Sequence, residues 1–164
     1  MSVSLSLDSN EQPAVYTIIT SDGEKFTLTH DEIQLSVLLK ETFESNNSSK
    51  EEDHEIRLDT ISSSIFKHVE SFLKHFSGET KWKEIERPLK SKVMREVTDE
   101  WSADFIDNIS ENRDTLYKVI TAANFLNIQP LLFLACAKVA GLIKGIPIDQ
   151  IKATLLDKNV TLSA

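Results

Sequence analysis

The sequence predicts an α+β fold, because strand patterns are confined to its first third and helical patterns fill the rest. Residues 14–20, AVYTIIT, are β-branched and aromatic, which favours a strand. Residues 21–24, SDGE, predict a turn in which Gly23 can adopt a positive φ. Residues 25–28 then return with Phe26 and Leu28 on one face, which completes a hairpin. Ile56 and Leu58 alternate with charged residues in a short third strand.

Two helices are predicted around the third strand. Thr29 followed by Glu32 is a capping box, which opens a helix that runs to about Phe43. Thr60 or Ser62 can cap the second helix, whose apolar residues recur at helical spacing: Ile65, Val69, Phe72 and Phe76. Residues 44–55 are polar, acidic and serine-rich, so we expect a mobile loop there.

Residues 77–100 differ in character from the rest of the chain. Between residues 79 and 95 there are six basic and three acidic residues, although the chain as a whole is acidic. This composition predicts an insertion that is partly helical around residues 89–97. Trp101 and Phe105 then mark a short amphipathic helix.

Three more helices are predicted in the last third. Asp114 or Thr115 caps the first. Asn127 and Gln129-Pro130 end it, because a residue before proline leaves the α region easily. Its inner stripe comprises Leu116, Val119, Ile120, Ala123 and Leu126. Residues 131–144 form a second helix, apolar on nearly every face, which Gly145 terminates. Residues 149–156 form the third, with Ile148, Ile151 and Leu155 as apolar contacts.

A length of 164 residues predicts one domain, or a small domain with an appended helical part. We expect a flexible N-terminal arm over residues 1–12. The main domain then spans residues 13–128, with a variable insertion at about 77–100. The C-terminal helices span residues 129–164.

Composition excludes several kinds of partner. The formal net charge of −8 argues against nucleic acid and anionic membrane surfaces, because phosphate binding needs basic residues. The longest apolar run, residues 131–143, contains Lys138 and is shorter than the roughly 20 residues that a bilayer span requires. With one cysteine the chain has neither an internal disulfide nor a cysteine-based zinc site, which fits a reducing compartment. The first residues show no signal-peptide pattern. We therefore expect a cytoplasmic or nuclear protein.

The sequence offers no catalytic constellation, so we predict no enzyme, no metal and no cofactor. His68 and His75 are separated by two helical turns, about 10 Å along the axis, which is too far for one metal ion. Four glycines provide no glycine-rich phosphate loop. Cys136 lies in the apolar helix and is predicted to be a small core residue.

The apolar helix at residues 131–143 indicates an interaction surface. A domain of this size has a high surface-to-volume ratio and does not easily bury a helix on all sides. Large exposed apolar patches mark interaction sites, so we expect the chain to self-associate when it has no partner. The alternative is that this helix is the central helix of a compact bundle.

Five segments carry a resemblance to a known family: TSDGEKF, IRLDTISSSIFKHVESFLKHF, DEWSADF, DTLYKVITAANFLNIQPLLFLACAKVAGLIKG and IDQIKATL. In these segments, from about residue 17 to residue 161, the chain resembles the Skp1 family of adaptor proteins. The AANFLNI words followed by LL, C, VA and IKG are the most specific part. Elongin C shares the first half and the AANFL words but lacks the later helices, and it is the alternative resemblance.

The resemblance implies a BTB/POZ-like domain, with a small three-stranded sheet and helices, followed by a C-terminal helical extension. It also implies a non-catalytic adaptor that links a cullin scaffold to F-box substrate receptors in an SCF-type E3 ubiquitin ligase. The cullin-binding residues would be Asn124 and Phe125. The F-box-binding residues would be Leu131, Leu132, Cys136, Val139, Ile143, Ile151 and Leu155. The alternative is a structural subunit that holds an F-box-type partner in a non-ligase assembly, such as a kinetochore complex.

The chain departs from the family pattern at several positions. Phe125 stands where the family has tyrosine, Phe133 where it has an acidic residue, and Ala135 where it has threonine. The proline of the following loop is shifted by one place, to Pro147. After residue 156 we find no counterpart of the family's acidic helix and tryptophan-containing lid. We therefore expect a narrow range of F-box partners.

Overall fold

A computed structural model describes residues 14–46, 54–78 and 81–156. The predicted N-terminal arm lies outside these residues, as does most of the predicted loop at 44–55. Within them the chain forms three strands and eight helices, which confirms the predicted α+β class. The arrangement is consistent with a BTB/POZ-like fold.

The sheet consists of β1 (Val15–Ile19), β2 (Lys25–Thr29) and β3 (Glu55–Arg57), in the order β2-β1-β3. β1 and β2 form the predicted antiparallel hairpin, with Gly23 at a φ of +84° in the turn. β3 pairs with β1 in parallel, so that Ile18 faces Phe26 on one side and Ile56 on the other. A parallel pair needs a crossover connection, and the two helices after β2 provide it.

The helix predicted from the Thr29 capping box is interrupted. The box itself is present, with Thr29 N donating to Glu32 Oε2 at 2.8 Å. However, α1 ends after four residues (His30–Ile33), and α2 (Val37–Asn46) begins beyond Ser36. The buried Ser36 Oγ accepts from Leu39 N at 3.2 Å and donates to Leu126 O at 2.6 Å. This serine therefore caps α2 and attaches it to a distant helix, which prevents one continuous helix.

α3 (Ser63–His75) packs on the sheet, where the rings of Phe66 and Phe26 lie 4.9 Å apart. Ser62 occupies the N-cap position, as predicted, but its side chain makes no capping hydrogen bond. A carboxylate from the hairpin turn takes this role. Asp22 Oδ1 accepts from Ser63 N at 3.0 Å, and Asp22 Oδ2 accepts from Ser63 Oγ at 2.5 Å. These bonds lower the pKa of Asp22 to about 2.

We expect Asp22→Ala to lower the melting temperature, because α3 then loses a cap and the hairpin loses its tie to the helix. The folded-state pKa lies below the ordinary value of 3.8, so the contribution is present at neutral pH. It should be lost as the pH falls from about 4 towards 2. Thermal melts of both proteins between pH 2 and pH 7 test this. Asp59→Ala, at an exposed carboxylate, is the control. A difference in melting temperature between D22A and wild type that does not change with pH would contradict the assignment.

The remaining helices are α4 (Met94–Val97), α5 (Glu100–Ser110), α6 (Arg113–Phe125), α7 (Gln129–Ile143) and α8 (Ile148–Leu155). The predicted helix at residues 89–97 is thus limited to its last turn. α6 is capped by Asn112, whose Oδ1 accepts from Thr115 N at 3.2 Å, and not by Asp114 or Thr115. α7 begins two residues earlier than predicted, because Pro130 fits the first helical turn, where no backbone donor is needed.

α6 forms much of the core between the sheet side and the later helices. Four of its predicted inner residues, Leu116, Val119, Ala123 and Leu126, are fully buried, whereas the fifth, Ile120, is half-buried. An aromatic cluster joins α3 to α5 next to it, and it contains Phe72, Phe76, Trp101 and Phe105. None of the helices in the described ranges is long and apolar enough to span a membrane.

Candidate functional site: two apolar surfaces and a basic strap

The first candidate surface lies at the C-terminal end of α6. Asn124 and Phe125 occupy the last turn of this helix, and both side chains are exposed; that of Phe125 is 51% accessible. Val37, at the start of α2, is 39% accessible, and its backbone is hydrogen-bonded to the residues that follow α6. We call these three residues the α6–α2 corner. The predicted cullin-binding residues are therefore available to a partner.

The backbone explains why the corner has a defined shape. Val37 N donates to Asn127 O at 3.2 Å, and Leu38 N donates to Leu126 O at 3.3 Å. Asn127 adopts a φ of +51°, the left-handed conformation in which asparagine commonly ends a helix. Helical spacing from Thr29 to Phe43 predicts Ile33, Val37 and Leu38 as the buried stripe of one helix, and for Val37 this is wrong. Its exposure depends on contacts between residues about 90 positions apart. The only local signal was an apolar residue directly after Ser36.

The second candidate surface lies on α7 and α8. Five of the predicted F-box-binding residues are half-buried and one is exposed, so each presents part of its side chain to solvent. We call this set the α7–α8 strip; it consists of Leu132, Cys136, Val139, Ile143, Ile151 and Leu155.

Three expectations for these helices need correction. Leu131 is 0% accessible and belongs to the domain core, so it offers no surface to a partner. Cys136 is exposed and is not the small core residue that the sequence suggested. Ile148 is 88% accessible and is not an internal contact of α8. Leu131 and Cys136 lie on α7, which is apolar on several sides, so periodicity does not distinguish its buried side from its open one.

α8 is held to the domain without burying any of its own residues. Tyr117 of α6 donates a hydrogen bond from its hydroxyl to the carbonyl oxygen of Leu155. Burial raises the pKa of Tyr117 above its ordinary value, so the phenol keeps its proton at physiological pH. Ile151 and Leu155 on the apolar side of α8 are half-buried, so part of that side remains open to a partner.

The corner and the α8 part of the strip lie at different ends of α6. Tyr117 fixes α8 near the start of α6, and Phe125 lies at its end. Eight residues separate these two positions, which corresponds to about 12 Å along the helix axis. A partner at the corner and a partner on α8 would therefore contact the protein at opposite ends of α6.

Residues 81–92 lie against α7, and we call them the strap. The guanidinium carbon of Arg87 is 4.9 Å from the centre of the Phe133 ring. Lys144 Nζ donates to Leu89 O at 3.0 Å. A side-chain carbon at Gly141 would lie 3.2 Å from Lys92 O, so the glycine allows the close approach of the two backbones. The sequence indicated an insertion here but gave no indication of what it contacts.

The described residues contain no group of three or more histidine, cysteine, aspartate or glutamate side chains that could hold a metal ion. Although Cys136 is exposed, partial burial among its neighbours raises the pKa of its thiol, which disfavours the nucleophilic thiolate. Burial lowers the pKa of His68, which favours its neutral form.

Several known proteins are similar in sequence to this chain. The chain is 49% identical over 71 residues to the S-phase kinase-associated protein 1 homolog of Tetrahymena thermophila, a match that covers 43% of this chain and 42% of that protein. It is 29% identical over 143 residues to the E3 ubiquitin ligase complex SCF subunit sconC of Arthroderma otae, covering 87% of this chain and 82% of the relative. The sconC protein of Aspergillus fumigatus is 27% identical over the same length, with 85% of it covered. No protein-family model matches the chain.

The described residues form a small α+β fold that is consistent with a BTB/POZ-like domain. The chain is similar over most of its length to a protein named as an SCF ligase subunit, and over 71 residues to one named as an S-phase kinase-associated protein 1 homolog.

Proposed function

We propose that this protein is a non-catalytic adaptor that links a cullin scaffold to an F-box substrate receptor in an SCF-type E3 ubiquitin ligase. The names of the relatives, an S-phase kinase-associated protein 1 homolog and SCF ligase subunits, support a role in such a complex. The Tetrahymena match covers less than half of that protein, so the partners of this chain rest on the geometry of its own surfaces.

The observation that carries the proposal is the presence of two separate apolar surfaces on one rigid core. The α6–α2 corner exposes Phe125 and Val37 and would bind the cullin. The α7–α8 strip has two of its six residues on α8, which buries no residue of its own, and it would bind the F-box helices. An adaptor needs this separation, because both partners must be bound at the same time.

Asn124→Lys combined with Phe125→Ala should abolish cullin binding and leave F-box binding unchanged. The double variant removes the most exposed aromatic ring of the corner and places a cation beside it. Aromatic residues at the centre of an interface often contribute 2 kcal/mol or more, so we expect at least a thirtyfold loss of affinity. Pull-down of the cullin from a mixture that contains both partners measures the effect.

Thr121→Lys is the matched control, because Thr121 is exposed on α6 one turn before the corner. Cullin binding that survives the double variant would rule out the corner. A chain that binds an F-box segment but no cullin, even without substitutions, would identify it as a structural subunit outside the ligase.

A further inference from the structure

The strap and α7 enclose an apolar groove beside the α7–α8 strip. The groove has a volume of about 270 Å³. Its apolar lining comes from both elements and includes Trp82, Ile85, Leu89, Phe133, Cys136 and Ala140. The volume lies below the range of about 300–1,000 Å³ that is common for small-molecule sites, so the groove suits one or two large side chains.

The groove presents residues of the kinds that anchor protein interfaces. Trp82 is 37% accessible and Phe133 is 39% accessible, although both are large apolar side chains. Arg87 lies over the Phe133 ring and brings a guanidinium to the edge of the groove. Tryptophan, arginine and other aromatic residues dominate the binding energy of many interfaces.

The strap carries an excess of positive charge that the rest of the molecule does not neutralise. Residues 81–92 contain five basic and two acidic residues, in a chain whose formal net charge is −8. Of these charges, only Glu86 and Lys90 form a salt bridge with each other. The other four cations form no salt bridge with any described residue: Lys81, Lys83, Arg87 and Lys92.

The α7 side of the groove adds no negative charge. α7 contains no acidic residue from Gln129 to Ile143, and Lys144 directly follows it. Glu84 is therefore the one acidic residue of the groove lining without a salt bridge among the described residues. Complementary charge at an interface steers association and selects the partner. An acidic ligand fits these edges, whereas the acidic remainder of the molecule would repel it.

We propose that the strap groove binds a short acidic peptide segment of a partner protein, with one or two large apolar side chains inserted between the strap and α7. The lining residues of α7 run from Pro130 to Ala140, a length of about 15 Å, which matches two to three helical turns of a bound segment. This site is separate from the α6–α2 corner and adjoins the α7–α8 strip, with which it shares Cys136. Its test uses neither a cullin nor an F-box chain.

The test selects ligands from a displayed library of random twelve-residue peptides on the full-length protein. We expect the enriched peptides to carry aspartate or glutamate next to tryptophan, phenylalanine or leucine. Their dissociation constants, measured by calorimetry, should rise at least tenfold for Trp82→Ala with Phe133→Ala. They should rise by a similar factor for Lys83→Glu with Arg87→Glu. Affinity for the unchanged protein should fall between 50 and 500 mM NaCl, because salt screens the charged contacts.

Matched controls separate the groove from general effects. Val93→Ala removes an exposed apolar side chain outside the groove lining, and Lys25→Glu reverses a charge on the sheet; both should leave peptide affinity unchanged. Circular dichroism melts establish that each variant is folded, and the charge variants remain a test if the aromatic variants unfold.

Several outcomes would overturn the proposal. The selection could yield no peptide that binds more tightly than 100 µM, or the selected peptides could show no enrichment of acidic residues. Peptide binding that the groove variants do not change would also count against it. Sedimentation that shows a dimer lost on Trp82→Ala would assign the groove to a second copy of the chain instead. Binding of a small apolar dye, but of no peptide, would assign the groove to a small molecule instead.

Discussion

Replacement of Val139 by aspartate should reduce the affinity for an F-box segment by about a hundredfold, or roughly 2.7 kcal/mol. Val139 is half-buried near the middle of α7, between Leu132 and Ile143 of the α7–α8 strip. A partner helix on this strip would exclude water from the new carboxylate. Burial of an unpaired charge is strongly unfavourable, and α7 offers only Lys138 as a cation within its length. Lys138 is already paired with Asp107 at 2.7 Å.

Calorimetry with a co-purified or synthetic F-box segment measures this loss, and cullin pull-down should be unaffected. Val93→Asp is the matched control, because Val93 is exposed and lies outside the strip. Val139→Thr keeps the shape of the side chain with a smaller polar change, so its effect should be several times weaker. Wild-type affinity in the V139D variant would remove the strip from the F-box interface.

Phe66→Ala should lower the free energy of unfolding by about 3–5 kcal/mol, the range found when a buried aromatic side chain is removed. Phe66 is fully buried in α3, where its ring packs at 60° to that of Phe26 in β2. The substitution removes the contact between helix and sheet and leaves a cavity in the closely packed core. For a chain of this length we expect the melting temperature to fall by about 10 °C.

Urea unfolding followed by circular dichroism gives the free energy directly. Phe125→Ala is the control, because it truncates the same side chain at an exposed position and should change stability by less than about 0.5 kcal/mol. Equal effects at the two positions would mean that the burial of Phe66 is not what stabilises the fold.

The cost of Phe66→Ala could be anticipated from sequence only in part. The helical spacing of Ile65, Val69, Phe72 and Phe76 identified the buried side of α3, and all four residues are buried. Phe66 was missed because it lies next to Ile65, and a simple periodic count assigns only one of two adjacent residues to the core. Helix and sheet together cover a wider sector of α3 than that count allows.

The candidate surfaces could likewise be predicted from sequence only in part. The resemblance of the AANFLNI segment indicated Asn124 and Phe125, and both are exposed where a partner can reach them. The same reasoning included Leu131, which the domain uses for its own core. Nothing in the local pattern distinguishes Leu131 from Leu132, because α7 is apolar on nearly every side and only its neighbours in space decide which side is covered.

The sequence by itself determined the α+β class, the hairpin, the Thr29 capping box and the helical pattern of the last third. These features depend on residues within a few positions of each other, so local propensity and spacing are sufficient to predict them. Only the tertiary structure decided the break at Ser36, the cap that Asp22 gives to α3 and the packing of the strap on α7. Asp22 and Ser63 are 41 positions apart, and Ser36 and Leu126 are 90 positions apart. Such contacts form only when the folded chain brings distant segments together, and their hydrogen bonds and close packing then override the local preference of each segment.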